Sequence, residues 1–243
     1  MACHVAPSWR RNALPVSDVS ERQISRSHLV SSLAAELLSA HVDPARLDRI
    51  LQRAGLETLR KHLETLVFPQ RRIVQIGNFG EILAAAILKE RDQLYIPIYK
   101  LRYREKRDWA IRLTDLLALR LANDKRITEV WYCEVKTRTT ADADAGCKSH
   151  DSLDAECKNE RPEILNFIVN RLFEQSRYEE ADLLEDYLAD TRHNATSIHH
   201  VVLLFESKVW SEEVLRRLKE MPPTLANFRL DVIRVDQLAQ LID

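Results

Sequence analysis

Residues 127–137 read Ile127-Thr128-Glu129-Val130-Trp131-Tyr132-Cys133-Glu134-Val135-Lys136-Thr137. β-Branched and aromatic residues dominate this run, so it reads as a strand. Side chains alternate along a strand, which puts Glu134 and Lys136 on one face and Cys133 and Val135 on the other. An acid framed by apolar neighbours is costly to bury unless a cation compensates it. The strand is therefore read as part of a sheet that carries a charged site. Just upstream, residues 111–121 are almost wholly aliphatic around Asp115, and Asn123-Asp124-Lys125 supplies a turn, so the two runs read as an antiparallel hairpin. Leu94 to Tyr103, rich in Tyr and Ile, is read as a further strand.

A helix is expected from Arg71 to about Lys89, and it contains Gly77-Asn78-Phe79-Gly80-Glu81-Ile82-Leu83. The chain has only four glycines and two of them fall here, just before an acid. Glycine weakens a helix interior by roughly 0.5–1 kcal/mol relative to alanine, so the pair calls for a close approach by another backbone or a ligand. The alanine-rich run that follows is expected to lie against the sheet.

Around this centre the chain divides into three parts. Residues 1–17 carry two prolines and no periodicity and read as a flexible arm. Residues 18–69 form a helical accessory region: Val19, Ile24, Leu29, Val30, Leu33, Leu37 and Leu38 recur at helical spacing, and Asp43-Pro44 opens a second helix that Gly55 kinks. Residues 70–243 hold the mixed α/β body. There, residues 139–149 read as a polar loop and residues 151–175 as a helix broken near Pro162. Tyr178 to Leu188 reads as a helix with an acidic exposed face, and His199 to Phe205 as a central strand without alternation. Trp210 to Lys219 reads as a helix and Phe228 to Val235 as a last strand.

Composition excludes several classes. With 243 residues, 45% of them hydrophobic and 30% charged, the chain is neither fibrous nor disordered. Lys+Arg at 36 against Asp+Glu at 37 leaves no overall field for a polyanion, so any nucleic-acid contact must come from a local patch. No stretch is apolar enough to span a membrane and the N-terminus has no signal-peptide pattern, so a cytoplasmic location is expected. Cys3, Cys133, Cys147 and Cys157 lack zinc-ribbon spacing; Cys147, His150 and Cys157 are read as scattered thiols and a histidine rather than a metal knuckle.

The acids carry the chemistry. Hydrolysis of a phosphodiester requires charge neutralisation at the phosphoryl oxygens, a nucleophilic water and a stabilised leaving oxygen. Mg²⁺, with Mn²⁺ as a substitute, meets these needs when held by carboxylates, and Asp115 and Glu134 on paired strands suit that task. Glu81 can complete the shell directly or through water, and Lys136 can orient or help deprotonate the attacking water. The candidate catalytic set is thus Glu81, Asp115, Glu134 and Lys136. Asp108, in Lys106-Arg107-Asp108-Trp109, competes with Asp115, but its neighbours are polar and Asp115 is preferred. For nucleic-acid phosphates the candidates are Arg102, Arg104, Lys106 and Arg107, with Arg71 and Arg72 ahead of the glycine-containing helix and Lys148 and Lys158 beyond the site. The alternative for the stretch from Lys100 to Arg107 is a charged, solvated loop.

The order of helix Glu81, strand Asp115 and strand Glu134-x-Lys136 resembles the PD-(D/E)xK nuclease superfamily. Leu113-Thr114-Asp115 stands where that signature has its proline. The resemblance implies a restriction-endonuclease-like αβββαβ core, with a mixed central sheet flanked by helices and preceded here by a small helical part. More narrowly, Gly77 to Leu83 together with Trp131 to Lys136 is similar to the HamA family, the nuclease subunit of Hachiman anti-phage defence systems. That similarity implies a Mg²⁺-dependent DNase and a superfamily 2 helicase as partner; weak sequence specificity is expected because no helix-turn-helix or zinc-finger pattern accompanies the phosphate contacts. Two other readings stay open: a catalytically silent sensor that grips DNA or a helicase, and a stand-alone restriction endonuclease.

Overall fold

The computed structural model describes residues 16–20, 26–109, 113–158, 163–189, 195–222 and 224–242. Its centre is a five-stranded mixed sheet in the order β1-β5-β4-β3-β2. The strands are β1 (Val16–Ser20), β2 (Leu116–Leu121), β3 (Ile127–Arg138), β4 (Thr196–Glu206) and β5 (Phe228–Val235). β2 and β3 form the expected antiparallel hairpin, with Leu116 opposite Cys133; all other pairings are parallel. β4 lies centrally and is buried from His200 to Glu206, which explains its unbroken apolar run.

Alternation along β3 separates two cores. Val130 and Tyr132 face a layer built on α4 (Ala145–Cys157), α5 (Glu163–Glu174), α6 (Tyr178–Ala189) and α7 (Glu213–Glu220). Trp131, Cys133 and Val135 face α1 (Arg26–His41), α3 (Arg72–Glu90) and α8 (Leu238–Ile242). Helices thus cover both faces of the sheet, and Glu134 and Lys136 share the face of Val130 and Tyr132.

The helical front is partly as expected. Asp43 caps α2 (Pro44–His62) by accepting from Ala45 N at 2.9 Å, and Gly55 breaks that helix with φ +78°. α1 is tied into the core through Leu33 and Ala40, whereas α2 has no buried residue.

Several boundaries fall elsewhere than expected. Val16 and Ser17 begin an edge strand, and Val19 belongs to that strand rather than to a helix; β1 therefore crosses the division drawn at residue 18 and joins the main sheet. Residues 1–15, Ile24, Ile111 and Pro162 lie outside the described residues. The strand expected over Leu94 to Tyr103 is reduced to one bridge, Tyr95 to Leu119, followed by a 3₁₀ turn at Lys100–Tyr103. Pro97 has no N–H to continue a ladder, and the turn carries Lys100 inward. The loop expected up to Ser149 ends earlier, because α4 starts at Ala145. The helix expected from Trp210 begins at Glu213, after a short 3₁₀ turn at Ser207–Val209.

Candidate active site

α3 reaches the sheet because Gly80 has no side chain. A Cβ there would lie 1.7 Å from Thr137 Oγ1 and 3.1 Å from Thr137 Cβ, whereas one at Gly77 would meet nothing within 4 Å. Close approach therefore explains one glycine of the pair and not the other. Gly80→Ala requires the Thr137 hydroxyl to rotate away and its Cβ, 3.1 Å off, to give by a few tenths of an ångström. We expect a net loss of about 1–2 kcal/mol, the overpacking cost less the helix-propensity gain, seen as a lower denaturation midpoint. Gly77→Ala is expected to be neutral or mildly stabilising in the same measurement.

Glu81 follows Gly80 and points to the end of the β2–β3 hairpin. Asp115, immediately before β2, is fixed by two bonds: Oδ2 accepts from Val135 N at 2.9 Å and Oδ1 from Lys100 Nζ at 2.7 Å. Glu134, 8% exposed, accepts at Oε1 from Lys136 Nζ at 2.8 Å. The four expected residues thus lie at one place, linked through Val135, Lys100 and the Glu134–Lys136 pair.

Lys100 is the member that sequence reasoning missed. Expected in the strand over Leu94 to Tyr103, with a solvated loop as the alternative, it is instead 5% exposed, donates to Leu113 O at 3.1 Å and lies 3.9 Å from Glu81 Oε2. The signal was present: Ile96, Ile98, Tyr99 and Leu101 frame it as apolar neighbours frame Glu134.

The electrostatics follow from crowding. Burial, opposed by Lys100 and reinforced by Asp115, pushes the Glu81 carboxyl up to about 8. Burial and Asp115 likewise raise Glu134, against the pull of Lys136 and Lys100. Burial works against the Lys100 ammonium, but Glu81 and Asp115 outweigh it and hold its pKa above the usual value. Glu81 Oε2 is buried without a hydrogen-bond partner, as are the hydroxyls of Thr114 and Thr137 on either side of the cluster. Carboxylate oxygens of this kind are the hard donors that Mg²⁺ or Mn²⁺ takes, so the donor chemistry of Glu81, Asp115 and Glu134 fits such an ion. Among the described residues, however, no three His, Cys, Asp or Glu side chains are already set to hold a metal, Cys147, His150 and Cys157 included. Lys100 already engages Asp115 within this cluster.

The basic run has a largely structural placement. Arg102 Nε donates to Ser39 O at 2.6 Å, Arg104 Nη2 donates to Asn78 Oδ1 at 2.6 Å, and Arg107 donates to Thr65 O. These three clamp the run to α1, to α3 and to the turn after α2. Lys106 instead lies 4.1 Å over the exposed Trp109 ring, and Lys148 and Lys158 are exposed beside Asp142 and Asp154. Asp108 accepts from Gln70 N and Arg71 N at 2.8 Å, so it anchors the start of α3 and stands apart from the acidic cluster.

No described helix is long and apolar enough to cross a membrane. Comparison with known proteins adds a family. A Hachiman protein HamA from Bacillus cereus is 29% identical over 168 residues, covering 67% of this chain and 58% of that protein. This chain thus spans less than two-thirds of that relative's length. The HamA family model matches residues 9–243, both halves of the sheet and the whole acidic cluster included. The chain belongs to the HamA family.

Proposed function

We propose that the chain is a divalent-cation-dependent DNase of an anti-phage defence system, with Glu81, Asp115, Glu134 and Lys136 as its catalytic set. The observation that carries this reading is the Glu81 carboxylate. It lies at the end of the β2–β3 hairpin, has a buried oxygen with no hydrogen-bond partner, and has Lys100, Asp115, Arg104 and Glu134 as its charged neighbours. A buried acid crowded by other acids is expensive, and clusters of this kind are concentrated at functional sites.

Asp115 and Glu134, with Glu81, would hold Mg²⁺. When bound, the ion would supply positive charge to the phosphoryl oxygens and acidify the attacking water. The chain's own part is positional. Asp115 is locked to β3 by the Val135 amide, so its carboxylate keeps its place relative to Glu134. Lys136 Nζ, with its side chain 26% exposed and held 2.8 Å from Glu134 Oε1, can orient the attacking water beside that carboxylate. Lys106 over Trp109, together with Lys148 and Lys158, offers exposed cationic heads for phosphates. Such contacts position a strand without reading its sequence, in keeping with weak sequence preference.

A helicase of superfamily 2, encoded beside this chain, is the partner we assign. Support comes from Leu51 and Leu56 on α2, Leu66 in the turn after it and Ile73 on α3, all exposed, Leu56 by 73% and Ile73 by 71%. Large apolar side chains left bare fit an assembly better than a free monomer.

The test incubates plasmid and linear DNA with Mg²⁺ and the protein, alone and with that helicase. Wild type is expected to nick or degrade DNA in at least one arm, and Glu134→Ala/Lys136→Ala is expected to be inactive in both. Equal degradation by the two proteins sinks the site assignment. No degradation by either, with the helicase present, supports the silent-sensor reading instead.

A further inference from the structure

Both oxygens of Asp115 are taken by groups of this chain. The Val135 amide holds Oδ2 at 2.9 Å, and the Lys100 ammonium holds Oδ1 at 2.7 Å. The same ammonium is fixed by Leu113 O at 3.1 Å and lies 3.9 Å from the unpartnered Oε2 of Glu81. Its side chain is 5% exposed, so water does little to screen it. Lys136, the other lysine of the cluster, pairs with Glu134. Lys100 therefore stands as the positive charge between Asp115 and Glu81, two of the carboxylates that would hold the divalent ion.

We propose that Lys100 is an internal counter-ion of the acidic cluster, one whose charge opposes the binding of a divalent cation at Asp115 Oδ1. The inference rests on the metal-site reading above. An ammonium 2.7 Å from that oxygen repels a divalent ion placed on it, so the two oppose each other: whatever strengthens the Lys100–Asp115 contact weakens cation binding, and the reverse. The residue sits on the 3₁₀ turn that Arg102 ties to Ser39 O and Arg104, just after it, ties to Asn78. Displacement of that turn from α1 and α3 would open the site without altering any carboxylate.

The experiment measures Mn²⁺ binding to the full-length protein near neutral pH, by calorimetry and by the spin resonance of free Mn²⁺. Wild type, Lys100→Met, Lys100→Arg and Asp115→Asn are compared. Lys100→Met keeps the length and removes the charge, and is expected to bind Mn²⁺ roughly tenfold more tightly or better. Lys100→Arg should stay near wild type, and Asp115→Asn should lose binding. In EDTA the Lys100→Met protein is expected to melt below wild type and to regain more on addition of Mn²⁺. Should Lys100→Met prove unfolded, Glu81→Gln/Lys100→Met removes one charge of each sign and is compared with Glu81→Gln alone. If removing the lysine leaves affinity unchanged while Asp115→Asn abolishes it, the counter-ion role is overturned and the metal site stands. If none of the proteins binds Mn²⁺, the metal reading falls and this inference falls with it.

Discussion

Glu81→Gln should make the metal-free protein more stable at neutral pH while removing its activity. Burial, with Asp115 and Glu134 close by, holds the Glu81 carboxyl well above its ordinary 4.5. A carboxyl whose folded pKa is raised binds its proton more tightly folded than unfolded. The folded state is thus favoured in acid, and that advantage is lost as pH rises from about 4.5 towards about 8. Near pH 7 the folded chain still holds the Glu81 proton that the unfolded chain has released, and that difference works against folding, on the order of 3 kcal/mol. Glutamine keeps the shape without the charge. Denaturant unfolding in EDTA should place Glu81→Gln above wild type at about pH 8, with the gap closing towards about pH 5. A variant no more stable than wild type at the higher pH would mean that Glu81 is not under charge strain. Gain of stability with loss of function is the expected mark of a residue kept for chemistry.

Acidification should cost the fold about 3 kcal/mol through His41 alone. Burial, offset in part by the Leu37 carbonyl and reinforced by Arg104, holds this imidazole down at about 4, against 6.5 for a free ring. The neutral ring is well satisfied: Nδ1 donates to Leu37 O at 2.9 Å and Nε2 accepts from Asn78 Nδ2 at 2.9 Å. An unfolded chain takes up the proton near 6.5 and the folded chain only near 4. Stability from the neutral ring is therefore present above 6.5 and is lost as pH falls towards 4. A proton on Nε2 would also face the Asn78 amide, and turning that amide over would withdraw Oδ1 from Arg104. Unfolding curves of wild type and His41→Gln should converge by about 3 kcal/mol between about pH 7 and about pH 4. Parallel curves would contradict the depressed imidazole.

The parts of the fold legible in the sequence are those where one local rule acts alone. Alternation in Trp131 to Lys136 assigned both faces of β3, the continuous apolar run placed β4 at the centre, and Asp43-Pro44 with Gly55 marked a capped and kinked helix. Local rules failed where a distant partner decides. Val16 to Ser20 becomes a strand only because β5 offers a parallel edge far along the chain, and nothing in those residues signals it. Leu94 to Tyr103 looked like a strand, but Pro97 stops the ladder and the buried pull of Asp115 on Lys100 favours a turn.

The same division holds at the site. Glu81, Asp115, Glu134 and Lys136, which the fold brings together, stand out in the sequence because apolar neighbours make a charge conspicuous. Arg102, Arg104 and Arg107 misled for the opposite reason: a cluster of positive charge looks like a phosphate patch whether its groups meet solvent or backbone carbonyls. Their targets, Ser39 O, Asn78 Oδ1 and Thr65 O, come from segments remote in sequence. Lys100 needed only the test already applied to the acids, since its flanks are equally apolar.

The most direct measurement is the rate of plasmid scission by wild type and by Glu134→Gln, in Mg²⁺ and in EDTA, with the helicase present and folding checked by circular dichroism. Glu134→Gln preserves the shape of the side chain and removes one carboxylate from the cluster. The expected result is Mg²⁺-dependent scission by wild type that is lost in EDTA and falls by roughly a hundredfold or more in the variant. Scission by Glu134→Gln at the wild-type rate, or at an undiminished rate in EDTA, would contradict a metal-dependent nuclease site at the end of β3.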